Sequence, residues 1–260
     1  MTGAASVLLP LLCLALLRTP LIYLLSLLLP EASQAPVLHM MVSMVQSLVL
    51  FALPGLLLYR DGRAQTERTR WQWMLVALLS ALLARAALTP LNRWWAECLS
   101  LEAAPIPAVA GWWKMLQVLA CAVVPAVAEE LFFRGALLSR LQRCCGSVAA
   151  VGLTTLFFAL MHGSLAGLPG HLAIGLLLTL LAAASGSLAV PMAAHLCYNL
   201  TALYWPGTHW LVPVCAGTAL AVLCAVLAMR VPQRRERRIS RVEMLLCGLI
   251  LLVMAAQYLL

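Results

Sequence analysis

Charged residues are scarce in this sequence: only 10% of its 260 residues are Asp, Glu, Lys or Arg. Nine residues are acidic and Lys114 is the single lysine, whereas 64% of the chain is hydrophobic. The mean hydropathy is +0.98. A soluble domain of this size needs far more charge on its surface. The composition therefore excludes an ordinary soluble domain and predicts a polytopic membrane protein with an all-α, helical-bundle fold.

Internal repeats and low-complexity linkers are also missing, and apolar runs long enough to span a bilayer, about 20 residues each, recur along the chain. The predicted helical segments are 5–29, 37–58, 71–90, 110–143, 148–163, 168–185, 188–205, 210–229 and 243–260. They correspond to about eight or nine transmembrane spans. The first is too long and too continuously apolar for a cleavable signal peptide, so we expect an uncleaved span. We divide the chain into N-terminal transmembrane helices (1–109), a core (110–205) and C-terminal transmembrane helices (206–260).

The positive charge is concentrated in two arginine-rich runs. The net charge is +8, and the runs are YRDGRAQTERTR at 59–70 and RVPQRRERRISR at 230–241. A basic run can bind nucleic acid, but between two hydrophobic spans it more often marks the cytoplasmic side of a membrane protein. We therefore expect no nucleic-acid partner, cytoplasmic arginine clusters and a cytoplasmic turn at 144–147. The loop around 91–109 then lies outside.

Two familiar hydrolase motifs are absent. The sequence contains neither the GxSxG elbow of serine hydrolases nor the HExxH signature of zinc proteases. It has instead AEELFFRGALL at 128–138, which places two glutamates and an arginine in an apolar segment. Charged residues inside a membrane are costly and usually functional. This segment is therefore the first candidate for an active site.

Helical geometry gives the two glutamates different roles. Adjacent residues on a helix point about 100° apart, so Glu129 and Glu130 cannot face the same partner. Glu130 and Arg134 are at i and i+4 with the acid first, the favourable order for an ion pair. Glu129 then has no local partner, and such a carboxylate can act as a base near neutral pH. The second half of this segment, LFFRGALLSRLQR, is amphipathic and is expected to leave the bilayer.

A second polar pair follows on the next helix, where Phe158 and His162 are at i and i+4. If the fourth and fifth segments fold antiparallel about the turn at 144–147, Glu129 lies 17 positions before Gly146 and His162 lies 16 after it. At about 1.5 Å per residue the two side chains reach similar depth. We therefore predict that the carboxylate and the imidazole face each other across a helix pair.

A third pair, His195 and Asn199, is again at i and i+4, on a segment that begins near residue 187. Three polar pairs on three helices suggest one shared interior site. The remaining histidines, His39, His171 and His209, belong to no such pair and are expected to be structural. A carboxylate, two imidazoles and a carboxamide can activate water and stabilise an oxyanion, as peptide hydrolysis requires.

These motifs resemble those of the CPBP intramembrane proteases, also called the type II CAAX prenyl endopeptidase or ABI family. EExxxR corresponds to Glu129, Glu130 and Arg134, FxxxH to Phe158 and His162, and HxxxN to His195 and Asn199. The resemblance covers about residues 110–205. Each motif is short, but all three in order on consecutive helices are specific.

The resemblance implies an intramembrane glutamic endopeptidase without a cofactor, its catalytic core on four consecutive helices. The implied catalytic residues are Glu129 and His162, which activate the water, and His195 and Asn199, which hold the oxyanion. The implied supporting residues are Glu130 and Arg134, which position the site, and Phe158, which keeps it dry. Two alternatives stay open: a zinc-dependent metalloprotease using the glutamates and histidines, and a non-catalytic immunity or scaffold protein.

The expected partners are the lipid bilayer and a membrane-anchored protein or peptide substrate. The Ala-, Leu- and Arg-rich composition is typical of a high-GC bacterium, so we expect a multi-pass protein of the bacterial cytoplasmic membrane. For a bacterial protein, the resemblance to this family implies as substrate the C-terminal sorting signal of an exported protein or a bacteriocin-like precursor. With the turn at 144–147 inside, the site lies in the extracytoplasmic half of the membrane.

Overall fold

The computed structural model describes residues 5–28, 36–59, 71–102, 109–204, 211–233 and 240–257. The helices are α1 (Ala5–Leu28), α2 (Pro36–Ser47, continuing through the π-helical Leu48–Ala52 to Leu53–Tyr59), α3 (Trp71–Cys98), α4 and α5 (the two arms of Trp113–Met161), α6 (Leu168–Ser185), α7 (Ala189–Tyr204), α8 (Leu211–Arg230) and α9 (Arg241–Ala256). These bounds confirm the predicted all-α fold. His209 lies outside the described residues, as does the side chain of His39.

Within the described ranges, five helices are long and apolar enough to cross a membrane: Pro36–Leu58, Trp71–Cys98, Trp113–Met161, Leu168–Ser185 and Pro213–Arg230. They confirm a multi-pass membrane protein. The number of crossings stays a prediction. Six helical arms, α3 to α8, lie between the two arginine clusters in the described part of the chain. This even number agrees with placing both clusters on one side.

Gly146 divides the long helix into α4 (113–145) and α5 (147–161). Its backbone has φ 77° and ψ 170°, a conformation that L side chains rarely adopt. The two arms therefore meet at the turn predicted from the sequence. This places the second half of α4 against α5 and returns the chain towards Glu129.

Two predictions were wrong: the residue at which α3 ends, and the polar surface expected on the second half of α4. Helix α3 does not end at residue 90 but continues through Pro90 to Cys98, so Glu97 is helical rather than in a loop. Its last turns are held by tertiary hydrogen bonds: the Trp95 indole donates to the Leu165 carbonyl, and Asn92 accepts from the Gly170 amide. The second half of α4 does not present a polar surface, because every residue from 132 to 142 is buried.

The core that positions the polar residues is formed by α3 to α8. Helix α3 packs against α6, α7 and α8, and α5 packs against α6. Helix α4 packs against α7, and its second half packs against α2 and α5. The predicted site residues of α4, α5 and α7 therefore lie on packed helices within one bundle.

Candidate active site

Glu130 is at the centre of a buried polar cluster, in which only Glu130 Oε2 and Arg134 Nε lack a partner among the described residues. Arg134 Nη1 donates to Glu130 Oε1 at 2.7 Å, and both side chains have no exposed surface. The same oxygen accepts from His195 Nδ1 at 2.9 Å. The predicted pair of Glu130 and Arg134 is confirmed. The bond between His195 and Glu130 was not predicted; it forms because α7 packs beside α4 and brings the imidazole to Glu130.

Arg134 contacts three partners: the Glu130 carboxylate, a backbone carbonyl and an aromatic ring. Nη2 donates to the Gly175 carbonyl of α6 at 2.9 Å, and its guanidinium carbon lies 4.3 Å from the centre of the Phe158 ring. An arginine placed over an aromatic face gains electrostatic stabilisation, more so where water is excluded. Gly175 permits this approach, because a Cβ there would lie 2.8 Å from Phe158 Cδ1.

Glu129 has a different environment, although it is the next residue. Its Oε2 is 3.8 Å from His162 Nε2, too far for a direct hydrogen bond. This buried oxygen has no hydrogen-bond partner among the described residues. The side chain keeps 11% of its surface exposed and that of His162 keeps 27%. The predicted meeting of the carboxylate and the imidazole across the helix pair is thereby confirmed.

The hydrogen bond on the other side of His162 assigns its tautomer. Nδ1 is 2.8 Å from the Phe158 carbonyl, which can only accept. Nδ1 therefore carries a proton, and when the ring is neutral Nε2 presents a lone pair to Glu129. Two acceptors then face each other, a geometry that favours a group donating to both, such as a water molecule.

Phe158 separates the two histidines and is completely buried. Its ring centre is 4.7 Å from that of His162 and 5.9 Å from that of His195. It also packs edge-on against Phe133 at 5.3 Å. The aromatic ring thus forms an apolar wall between the side of the site that contains Glu129 and the side that contains Glu130.

Asn199 is brought near the site by helix register rather than by a bond. It is half-buried on α7, one turn after His195 and on the same face. It makes no hydrogen bond to another residue of the described ranges. Its carboxamide is therefore unengaged, whereas His195 is fixed by Glu130.

Two further polar residues contact the site and a third lies on the neighbouring helix α3, and the sequence analysis singled out none of the three. The ring of His171 stacks on that of His162 with centres 4.1 Å apart, although we expected His171 to be structural and unrelated. Arg18 of α1 donates to the His162 carbonyl at 3.0 Å, and also to Gln257 after α9. Arg85, in the middle of α3, lies 5.9 Å from the ring centre of Tyr198 on α7.

A sequence signal existed for each of these residues. His171 follows His162 across a short Gly- and Pro-containing turn, and Arg18 and Arg85 are cations inside apolar segments. The rule that charge inside a membrane is functional applied to both arginines.

Among the residues that the structure describes, no three His, Cys, Asp or Glu side chains are arranged to hold a metal ion. The two glutamates do not converge, because Glu130 binds Arg134 and His195 whereas Glu129 faces His162. A metal site would need these side chains to rearrange.

Residues 111–201 match the model of a family described as type II CAAX prenyl endopeptidase Rce1-like. The matched segment is about a third of the chain and contains all seven predicted site residues, so the resemblance noted from the motifs is confirmed over this segment. No match was found among the curated proteins or among the solved structures. The family match supports an intramembrane endopeptidase.

Proposed function

We propose that this protein is an intramembrane endopeptidase in which Glu129 activates the attacking water. The observation that carries this proposal is the 3.8 Å separation of Glu129 Oε2 and His162 Nε2, each without a direct partner on the facing side. Glu130 suits this role less well. Its side chain has no exposed surface and is bound through Oε1 to Arg134 and His195, although its Oε2 has no partner among the described residues.

A water molecule can bridge Glu129 and His162 at about 2.8 Å from each. It donates one hydrogen to the carboxylate and the other to the Nε2 lone pair, and its own lone pairs then point away from both. Glu129 removes a proton as the water oxygen bonds to the substrate carbonyl carbon. The protonated Glu129 then passes this proton to the amide nitrogen as the carbon–nitrogen bond breaks. No covalent enzyme intermediate is formed.

His195 and Asn199 are placed to hold the oxyanion of the tetrahedral intermediate. Because His195 Nδ1 donates to Glu130, the ring can donate to the oxyanion only from Nε2, which requires the doubly protonated form. The carboxamide of Asn199, which makes no hydrogen bond to another described residue, supplies a second donor. Arg134 and Phe158 hold this arrangement and exclude water from its buried side.

The proposed substrate is a membrane-anchored protein or peptide, either the C-terminal sorting signal of an exported protein or a bacteriocin-like precursor, in a bacterial cytoplasmic membrane. This choice follows from placing the arginine clusters inside, so that the turn after His162 faces outward. Labelling of Ser164→Cys in intact cells by a membrane-impermeant thiol reagent tests it, with Gln233→Cys at the opposite end and the parent protein as controls. Protection of residue 164 together with labelling in inverted vesicles contradicts this topology.

The activity is tested by comparing membrane-protein termini in cells that express the wild type or Glu129→Gln. Loss of specific new termini, with accumulation of their uncleaved precursors, is expected for the variant. Glu97→Gln is the matched control, because it makes the same change at an exposed carboxylate on α3. If Glu129→Gln keeps the wild-type termini or phenotype, a scaffold or immunity role is favoured. Bound metal in the purified protein, with activity lost on chelation, favours the zinc alternative.

A further inference from the structure

An apolar groove lies between the beginning of α3 and the end of α8, away from the candidate active site. Its volume is about 290 Å³ and its floor includes Val76, Leu223 and Leu227. Leu227 is buried, whereas the other two are partly exposed. The groove runs from residue 223 to residue 230, about 10 Å along the helix. We call it the α3–α8 groove.

One end of the α3–α8 groove is polar and lies where α3 begins and α8 ends. Gln72 and Arg230 line this end, and the Trp73 indole lies beside them. Both helices are long enough to cross a bilayer, so their ends are expected at the boundary between the acyl chains and the headgroups. Tryptophan and arginine are typical of that boundary.

The sequence that adjoins α3 and α8 at this end is mainly of one charge. The sequence before α3 contains Arg60, Arg63, Arg68 and Arg70, and the sequence after α8 contains Arg234, Arg235, Arg237 and Arg238. Arg230 itself is exposed and has no described carboxylate within ion-pair distance. Basic pockets between transmembrane helices on the cytoplasmic side bind anionic lipid headgroups.

A second groove on another face of α8 provides an internal contrast. It lies between α5, α6 and α8, with a volume of about 330 Å³, and its lining includes Val151, Leu180 and Ala225. It extends to the same end of α8, at Gln233, but contains no charged side chain. An acyl chain can enter either groove, but only the α3–α8 groove can distinguish one headgroup charge from another.

We propose that the α3–α8 groove binds an anionic phospholipid of the cytoplasmic leaflet. One acyl chain lies on the apolar floor, and the lipid phosphate accepts hydrogen bonds from the Arg230 guanidinium and the Gln72 amide. Arginine binds phosphate through two parallel hydrogen bonds, which gives the site selectivity as well as affinity. This inference does not depend on the proposed protease activity.

Native mass spectrometry of the purified full chain with phosphatidylglycerol or phosphatidylcholine of identical acyl chains tests the proposal. We expect phosphatidylglycerol to be retained preferentially and Arg230→Gln to weaken its binding about fivefold. Arg241→Gln is the matched control, since it removes the same charge from an exposed position at the start of α9. Equal retention of both lipids, or equal effects of the two substitutions, would overturn the proposal.

Filling each groove separately tests the location. Val226→Trp is expected to remove the bound phosphatidylglycerol, whereas Ala225→Trp, which fills the second groove, is expected to leave it. Circular dichroism and size-exclusion chromatography establish that each variant is folded. If Val226→Trp is not folded, Val226→Phe is used in its place. Undiminished phosphatidylglycerol binding by a folded groove-filling variant contradicts the site. A photo-crosslinker at residue 226 that captures a protein rather than phospholipid also contradicts it.

Discussion

Glu129 and Glu130 are adjacent in sequence, yet the regions around them are organised for different purposes. Around Glu130, an arginine and a histidine both donate hydrogen bonds to the carboxylate, and Arg134 has no exposed surface. Around Glu129, the facing imidazole stands 3.8 Å away and both side chains keep some exposure. The comparison shows that the carboxylate of Glu130, together with Arg134, links α4, α6 and α7, whereas that of Glu129 makes no direct hydrogen bond to a described residue. The predictions below separate these two roles.

The largest expected effect is on stability, from removing Arg134. Arg134→Met leaves the buried Glu130 without its main counter-charge, and breaking a buried pair in this way costs about 3–5 kcal/mol. We expect a much lower melting temperature in detergent. Arg93→Met, at an exposed position of α3, is the control. A melting temperature equal to that of the wild type would show that the cluster around Glu130 is not structural.

The next effect is on catalysis, from His195. Loss of one oxyanion donor reduces the rate about 10²–10³-fold, and we expect this for His195→Gln on the substrate identified from its new terminus. A His195→Gln variant that cleaves at the wild-type rate would remove His195 from the oxyanion role.

A smaller effect is expected from the contact that brings α6 to Phe158. Gly175→Ala places a Cβ 2.8 Å from Phe158 Cδ1, and such overpacking costs about 1–3 kcal/mol. Melting temperature measures this cost. Gly152→Ala on α5 is the matched control, because a Cβ there meets nothing within 4 Å. Equal melting temperatures for the two variants would mean that α6 does not pack closely against Phe158 at Gly175.

The smallest effect concerns the link from the terminal helices to the site. Arg18→Gln removes a hydrogen bond to the His162 carbonyl, worth about 1 kcal/mol net. We expect a reduction of kcat by less than about tenfold with KM unchanged, because the residue positions His162 and does not touch substrate. A changed KM with unchanged kcat would assign Arg18 to substrate binding.

The parts of the site that depend on local geometry could be predicted from the sequence. The pair of Glu130 and Arg134 follows from an i, i+4 spacing, and the depth of Glu129 and His162 follows from counting residues on either side of one turn. Helix bounds were also close, because apolar runs end at polar clusters. The division of the chain at residues 109 and 205 stays a prediction.

Contacts between distant helices could not be predicted in the same way. The partner of His195 is Glu130, 65 residues earlier, and Arg18 reaches a carbonyl 144 residues later. Such pairs depend on which helices are neighbours and on their rotation, and hydrophobic periodicity does not reveal this when helices are apolar all round. The continuation of α3 past Pro90 could not be predicted for the same reason, because tertiary hydrogen bonds hold its last turns.

The central claim is tested most directly by measuring cleavage rate and melting temperature for Glu129→Gln and Glu130→Gln side by side. For Glu129→Gln the account predicts a rate reduced at least about 10³-fold, within the range of general-base catalysis, at an unchanged melting temperature. For Glu130→Gln it predicts a clearly lowered melting temperature, because the substitution removes the carboxylate that binds Arg134 and His195. A Glu129→Gln enzyme that cleaves at the wild-type rate, or that unfolds as readily as Glu130→Gln, would contradict it.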